Sequence, residues 1–371
     1  MATHEIRIDS SRPLGAEPGT GHNRWHPDIR PVVRCKPGDE VVMETRDALD
    51  GQVTRRSTAD SVGKTDLSVV HPLTGPVHVQ GAEPGDVLVC EILEVIPDSF
   101  GFTVQIPGFG FLREEFPEPY LAKWDIDGGW AVSKDIPRIR VPGAPFMGTI
   151  GVAPSRELME MITAREAALI ERQGFALPPD PAGAVPEDGP IAREALRTVP
   201  PRENAGNVDI KQLSAGARLL IPVWTPGALF SAGDAHFAQG DCETCGTAVE
   251  MRSTLRVRFD LRKGEAAERK IRDLRFERDD YSLPPEFAAP RRFFATTGMS
   301  IARDGTNLSE DLTSAARNAL LNMIDHLTHE YGYSRQQAYA ICSVAVDLKI
   351  SQAVDVPNVI VSAFLPLDIF V

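Results

Sequence analysis

Most of the chain carries the alternation of apolar and polar residues that is typical of β-strands. Residues 255–262 alternate strictly, which predicts a half-buried strand, and residues 1–7 predict a first strand. Pro-Gly-Asp stands at 37–39 and again at 84–86, each time before an apolar run. Proline presets φ and glycine accepts positive φ, so both tripeptides predict tight turns that lead into strands. Short strands joined by such turns indicate a β-sandwich or barrel.

The apolar period changes to a helical one after about residue 305. Apolar side chains recur every three or four positions over 312–331, which predicts an amphipathic helix that Gly332 ends. Ser334 and Gln337 have the spacing of a capping box, and this predicts the start of a second helix. The fold class that follows is mainly β with an α+β C-terminal part.

A third helix is predicted over residues 156–173, with Ser155 as its N-cap and Gly174 at its end. Seven prolines between 174 and 206 indicate a long loop or insertion. The expected organisation is one enzyme unit with four parts: a β-rich region at 1–154, the helix and Pro-rich insert at 155–206, a β region carrying the polar cluster at 207–264, and an α+β region at 265–371.

Composition narrows the classes of partner. The 371 residues include 42% hydrophobic and 25% charged side chains, an ordinary globular balance. The net charge of −13 makes nucleic acid and anionic membrane surfaces poor partners. No apolar stretch is long enough to span a bilayer and no secretory signal is evident, so a cytoplasmic location is expected. Five cysteines, an odd number, fit a reducing compartment.

Candidate chemistry concentrates in residues 233–243. Asp234 and His236 are two positions apart, so on a strand both side chains would face one ligand. Asp241 and Glu243 form a second such pair if the chain is extended there. One imidazole with carboxylates fits a divalent-metal site, with Zn²⁺ among the candidates, and fits a metal-free acid/base site equally well. The alternative is that these side chains only bond the backbone of glycine-rich turns.

Several separated segments, taken in order, resemble the acetamidase/formamidase family. They begin with His-Asn-Arg-Trp-His-Pro-Asp at 22–28, which is most similar to the formamidase branch. The remaining segments are His-Pro-Leu-Thr-Gly-Pro at 71–76, Gly-Thr-Ile-Gly-Val-Ala-Pro at 148–154, Gly-Asn-Val-Asp at 206–209, Gly-Asp-Ala-His at 233–236, Gln-Gln-Ala-Tyr-Ala at 336–340 and Leu-Pro-Leu at 365–367. The resemblance spans nearly the whole chain and implies a β-sandwich or jelly-roll-like fold, hydrolysis of a small linear amide, and a homo-oligomer.

The resemblance also implies roles for individual residues. Asp209, Asp234 and His236 are the expected ligands of a divalent metal, with zinc as the expected ion for such a donor set. The expected catalytic residues are Glu243 as general base, Asp241 as a residue that orients a partner or joins the metal, and His236. Asn207 and His26 are the expected substrate-binding residues, although His26 could equally stabilise its turn. His71 is interpreted as structural. Cys242 stands where the family has glycine, so a positive φ there would be strained.

Two other classes of function remain open from the sequence. One is a metal-dependent oxygenase or isomerase on a β-sandwich, since a histidine with carboxylates approximates an iron site. The other is a non-catalytic module that binds a small molecule. The Cys242-x-x-Cys245 spacing could hold a redox pair, but no second cysteine pair accompanies it.

Overall fold

The structure is a computed structural model that describes residues 2–187, 189–279 and 292–371. Over these ranges the chain forms strands and six α-helices with three short 3₁₀ helices. The strands are β1 (Thr3–Ile6), β2 (Gly21–His22), β3 (Arg24–Trp25), β4 (Val33–Cys35), β5 (Glu40–Thr45), β6 (Leu73–Val79), β7 (Val87–Gln105), β8 (Tyr120–Asp127), β9 (Trp130–Val132), β10 (Arg140–Pro142), β11 (Phe146–Gly151), β12 (Leu196–Arg197), β13 (Ala205–Asn207), β14 (Ala217–Pro222), β15 (Phe230–His236), β16 (Glu250–Arg262), β17 (Arg275–Arg278), β18 (Phe293–Met299), β19 (Asp347–Gln352) and β20 (Ile360–Pro366). The α-helices are α1 (Ala59–Val62), α2 (Arg156–Glu171), α3 (Gly189–Glu194), α4 (Glu265–Arg269), α5 (Leu312–Tyr331) and α6 (Arg335–Ala345).

The mainly-β prediction is confirmed. One 15-stranded sheet runs in the order β10-β9-β8-β7-β16-β15-β11-β13, with the remaining strands joined at its sides. Strand β7 is 19 residues long and pairs with both β8 and β16. The predicted strand over 255–262 is the second half of β16, and its alternate side chains Leu255, Val257 and Phe259 are fully buried. The two Pro-Gly-Asp turns lead into β5 and β7 as predicted.

The C-terminal part is the predicted mixture of helix and strand. Helix α5 begins after Asp311, whose side chain accepts from the Thr313 and Ser314 amides, and it ends at Gly332 with φ 73°. The capping box of Ser334 and Gln337 starts α6. Helix α5 packs on the three-stranded sheet β18-β20-β19. No helix among the described residues has both the length and the apolar character to cross a bilayer.

Two local predictions in the middle of the chain need correction. Helix α2 ends at Glu171 rather than near 173, and it is Gln173, not Gly174, that takes the left-handed conformation (φ 63°) just after it. The Pro-rich segment is not one long loop, since it contains α3, β12 and β13. Backbone carbonyls of this segment, at Asp180 and Ala182, accept hydrogen bonds from the buried Arg24 guanidinium. These contacts hold the segment against the N-terminal region.

Helix α6 packs beside the loop between β15 and β16 and holds it through Tyr339. The Tyr339 hydroxyl donates to the Thr244 carbonyl and accepts from the Leu112 amide at 2.9 Å. The Tyr339 ring is buried and stacks on Phe116, with ring centroids 4.3 Å apart. The loop that follows β15 is therefore fixed to a helix more than 90 residues further along the chain.

We expect Tyr339→Phe to lower the free energy of unfolding by about 1–3 kcal/mol, because the buried Leu112 amide loses its acceptor while the ring contacts remain. Urea denaturation monitored by tryptophan fluorescence measures the change. Tyr331→Phe is the matched control, since it removes a hydroxyl from a partly exposed ring that stacks on Phe370. Equal effects of the two substitutions would contradict the role given to the Tyr339 hydroxyl.

Candidate active site

Strand β15 places Asp234 and His236 at the centre of the large sheet. Its neighbour β16 begins at Glu250, which lies directly opposite His236 in the register of the two strands. On the other side β11 pairs with β15, and β13 pairs with β11, so that Asn207 lies opposite Thr149. Residues far apart in sequence thus meet because three successive strand pairings bring their side chains to one place.

Gly148, on β11, leaves space for a cluster of side chains around His236. The cluster consists of His236 with Asp209, Asp234, Glu243 and Glu250. A Cβ at this position would lie 2.6 Å from both Asp209 Oδ1 and His236 Cε1, and 2.8 Å from Asp234 Oδ2. Such approaches are too close for any side chain. The Gly148 carbonyl also accepts from the amides of Val208 and Asp209, at 3.0 and 3.2 Å. The glycine therefore both admits the Asp209 carboxyl and holds its backbone.

Gln239 fixes the orientation of the imidazole. Its Nε2 donates to the Asp209 carbonyl at 2.8 Å, which leaves its Oε1 facing His236 Nδ1 at 2.9 Å. His236 Nδ1 therefore carries a proton, and Nε2 faces the carboxyl groups. The Nε2 atom lies 3.2 Å from Asp234 Oδ1 and from Glu250 Oε1. It lies 3.7 Å from Glu243 Oε1, which comes from the loop after β15.

The charges at this place shift the pKa of His236 and Asp234 in opposite directions. Burial alone would lower the pKa of His236, but the carboxyl groups of Glu250 and Asp234 outweigh burial and raise it well above its usual value. Burial alone would raise the pKa of Asp234, but the His71 and His236 imidazoles lower it below its usual value. Asp234 is therefore ionised, and its charge favours a cation at His236 Nε2.

The other carboxyl groups are held closer to their neutral forms. Burial is the largest cause in each case and raises the pKa of Glu250 to about 7. It raises the pKa of Asp209 and Glu243 well above their usual values, with help from neighbouring carboxylates. These groups cannot all ionise together unless a positive charge is added to the cluster.

Two carboxylate oxygens of the cluster are left without a partner. Asp209 Oδ1 and Glu250 Oε2 are buried and have no hydrogen-bond partner. Potential ligand atoms lie within 4.8 Å of one another in two sets of three, which share His236. The first set is Asp209, Asp234 and His236, and the second is His236, Glu243 and Glu250. Unpaired oxygens and an imidazole nitrogen at these separations fit a divalent cation with mixed N/O ligands.

Asn207 lies outside the cluster and is connected to it through the Thr149 hydroxyl. The Thr149 hydroxyl lies 3.0 Å from Asp234 Oδ2 and 2.9 Å from Asn207 Oδ1, so its single proton is shared between two acceptors. The Asn207 amide nitrogen donates to the Val199 carbonyl at 3.1 Å. In this arrangement the Asn207 side chain orients Thr149, and through it Asp234.

Two further predicted site residues, His26 and Asp241, also have side chains outside the cluster. His26 Nε2 pairs with Glu194 Oε1 at 2.9 Å, and its Nδ1 accepts from the Asp28 amide of its own turn at 3.0 Å, so both ring nitrogens already have partners. Asp241 and Glu243 do not share a face, because the chain turns at 241–242 instead of running extended. The Asp241 carboxylate points to Lys211, at 3.8 Å, whereas Glu243 points to His236.

The sequence did not single out Glu250, Gln239 or Thr149, and it gave His71 a structural role. His71 Nε2 lies 3.9 Å from Asp234 Oδ2, so this histidine borders the cluster. The only signal for Glu250 was a carboxylate between apolar residues at the start of a strand. That signal identifies Glu250 as a site residue only when the pairing of β16 with β15 is known, because the pairing places Glu250 opposite His236.

Known proteins resemble this chain over nearly its whole length. The sequence profile of the Acetamidase/Formamidase family matches residues 7–371. A formamidase from Methylophilus methylotrophus is 35% identical, with 98% of this chain and 93% of that protein covered. An acetamidase from Mycolicibacterium smegmatis is 36% identical, with 90% and 87% covered. The structure of a gamma lactamase from Delftia acidovorans superposes with a TM-score of 0.93 at 36% identity, with 99% and 93% covered.

The turn that carries Glu243 has a strained backbone. Cys242 has φ 83° and Glu243 φ 43°, and Asp209 and Asp234 also have positive φ. The condition raised for Cys242 is met, since this residue does take a positive φ. Left-handed conformations of residues with a Cβ cost free energy and persist where the surrounding structure enforces them.

We expect Cys242→Gly to raise the free energy of unfolding by about 1 kcal/mol relative to Cys242→Ala, because glycine accepts positive φ and alanine does not. Thermal and urea denaturation of the two variants give the comparison. The alanine variant is the matched control, since it also removes the thiol. A glycine variant no more stable than the alanine variant would show that the turn is not strained.

Proposed function

The chain belongs to the acetamidase/formamidase family, and we propose from this that its substrate is a small linear amide of the formamide or acetamide type. The protein is an amidase that hydrolyses a carbon–nitrogen bond. The observation that carries the proposal is the buried imidazole with converging carboxyl groups on β15 and its neighbours. An oxygenase or isomerase is not favoured, because the relatives matched over the whole chain are named as amidases.

The reaction adds water across the amide bond. A carbon–oxygen bond forms at the carbonyl carbon, the carbon–nitrogen bond breaks, and a proton moves from water to the departing nitrogen. We assign the transfer of that proton to Glu243, because it is the most accessible of the three carboxyl groups beside His236. Its side chain is 14% exposed, whereas that of Asp234 is 4% and that of Glu250 2% exposed. A carboxyl group whose pKa is raised by burial is suited to accept and return a proton near neutral pH.

A divalent cation, zinc being our first candidate, would be held by Asp209, Asp234 and His236. The unpaired Asp209 oxygen and the His236 Nε2 atom support this ligand set. Such a cation supplies Lewis-acid polarisation of a carbonyl and lowers the pKa of water toward ~7. Gln239 would keep the imidazole in the tautomer that leaves Nε2 free to bind, and Thr149 with Asn207 would orient the Asp234 carboxylate.

A cyclic amide is a second candidate substrate. It is favoured by the likeness to a protein named gamma lactamase, at 36% identity and nearly full coverage of both chains. Opening a lactam ring leaves the amine attached to the product and releases no ammonia. The two candidates are therefore distinguished by the product: ammonia from a linear amide, and an amino acid from a γ-lactam.

The first experiment measures ammonia from short linear amides and free amine from a γ-lactam, before and after chelation and with zinc added back. We expect release from a linear amide that is lost on chelation and restored by zinc. Asp234→Asn is expected to lower kcat/KM by about 10²-fold or more, because it removes a charge that the proposed ligand set requires. Asp127→Asn, at an exposed carboxylate of β8, is the matched control.

Each other outcome rejects a defined part of the proposal. If chelation does not change turnover, the metal is rejected and the cluster is a metal-free acid/base site. Turnover of the lactam alone would replace the linear substrate. Full activity of Asp234→Asn would reject the site.

We further propose that the protein is a cytoplasmic homo-oligomer. Exposed apolar side chains on the C-terminal sheet, Phe293, Met299 and Ile350, support association of copies. Five unpaired cysteines support a reducing compartment. Light scattering after size-exclusion chromatography is expected to give a mass of two or more chains, and a monomer across the working concentration range would contradict the association.

A further inference from the structure

One buried cation lies just behind the carboxyl cluster. The Lys211 side chain is only 4% exposed, and its Nζ donates to Asp347 Oδ1. The same Nζ lies 3.8 Å from Asp241 Oδ1. Asp347 Oδ1 also accepts from the Asp241 backbone amide at 3.1 Å. These three residues form one charged network, which we call the Lys211 network.

The Lys211 network connects three separate segments of the chain. Lys211 is two residues from Asp209, and Asp241 is two residues from Glu243. Asp347 is the first residue of β19, directly after the end of α6. The segments that carry Asp209 and Glu243 are therefore fastened to the same junction between α6 and β19.

Backbone contacts seat the Glu243 turn against that junction independently of the charges. The Gly240 amide donates to the Ser343 carbonyl at 2.8 Å, and a Cβ on Gly240 would lie 2.3 Å from the Val346 carbonyl oxygen. Only glycine allows this approach. The Asp241 carboxylate is thereby brought to Lys211, on the opposite side of the turn from the His236 cluster.

Holding the segments that carry Asp209 and Glu243 together costs free energy. Asp209 and Glu243 carry like charges when both are ionised, and these charges repel. Both residues also have positive φ, a conformation that persists only where the surroundings enforce it. Gln239 provides one link between the segments, through the Asp209 carbonyl, and the Lys211 network provides a second.

We propose that Lys211 and Asp347 are positioning residues for hydrolysis, which hold the Asp209 and Glu243 carboxyl groups at the separation that the reaction needs. Asp241 then acts through Lys211 and does not touch the substrate. The inference rests on the proposed function, because it takes Asp209 and Glu243 as members of the site. Without the lysine, Asp241 and Asp347 would lose the cation that lies between their carboxyl groups, and this link between the two segments would be lost.

The test compares Lys211→Met, Lys211→Arg and Asp347→Asn with Arg46→Met in the full-length protein. Arg46 is a matched control, because it is also a buried cation, paired with Glu17 at 2.5 Å and Asp50 at 3.6 Å, in a part of the fold not assigned to the site. For each variant kcat and KM are measured on the best amide, with the urea midpoint and the Zn²⁺ affinity of the demetallated protein.

We expect Lys211→Met to lower kcat by about 10- to 100-fold, the range found when supports of a reacting group are removed, with KM little changed. Lys211→Arg should restore part of the loss because it keeps the charge. Arg46→Met should lower the urea midpoint and leave kcat unchanged. The double variant Lys211→Met/Asp347→Asn should be no slower than the worse single variant if the pair acts as a unit.

A fall in kcat for Lys211→Met no larger than for Arg46→Met would overturn the inference. If Lys211→Met does not fold, Asp347→Asn carries the same test, since it keeps the size of the side chain and removes the charge. Glu243→Gln separates this failure from failure of the proposed function. Activity retained in Glu243→Gln rejects the site itself, whereas activity lost there but kept in the Lys211 and Asp347 variants rejects only the positioning role.

Discussion

The structure is organised around one electrostatic constraint, which is that four buried or partly buried carboxyl groups surround a single imidazole nitrogen. Carboxylates that are withdrawn from water and placed beside one another repel, and they stay ionised only with a cation among them. His236 Nε2 is where that cation belongs, because Gln239 occupies Nδ1. Either a proton or a metal at Nε2 would supply the positive charge that the carboxylates require, and both are compatible with hydrolysis of an amide.

The fold answers this constraint by holding each carboxyl group from a different element. Asp234 comes from the centre of β15, Glu250 from the start of β16, Asp209 from the segment after β13, and Glu243 from the loop after β15. A repulsive cluster on one flexible loop would relax by moving apart. Here each member is attached to the paired strands, to Tyr339 on α6 or to the Lys211 network, so relaxation would require the fold to deform.

Two features of the backbone allow the carboxyl groups to converge, namely positive φ at the carboxyl residues and glycine at the points of closest approach. Residues with left-handed backbone occur at Asp209, Asp234 and Glu243, where the carboxyl groups must turn toward one point. Gly148 and Gly240 occur where another group must come closer than a side chain allows. Cys242 keeps a positive φ that glycine would adopt at lower free-energy cost.

Local sequence determined the elements, because their signals are local. Helical spacing with Gly332 at its end defined α5, and strict alternation defined the second half of β16. The separated motifs also identified the family and brought Asp209, Asp234, His236 and Glu243 to attention. Only the tertiary structure decided which side chains meet. Glu250 joins the cluster through strand pairing, Asp241 leaves it because the chain turns, and His26 is held by Glu194, a residue 168 positions away. Pairing and turn geometry depend on contacts between distant segments, and no local spacing encodes them.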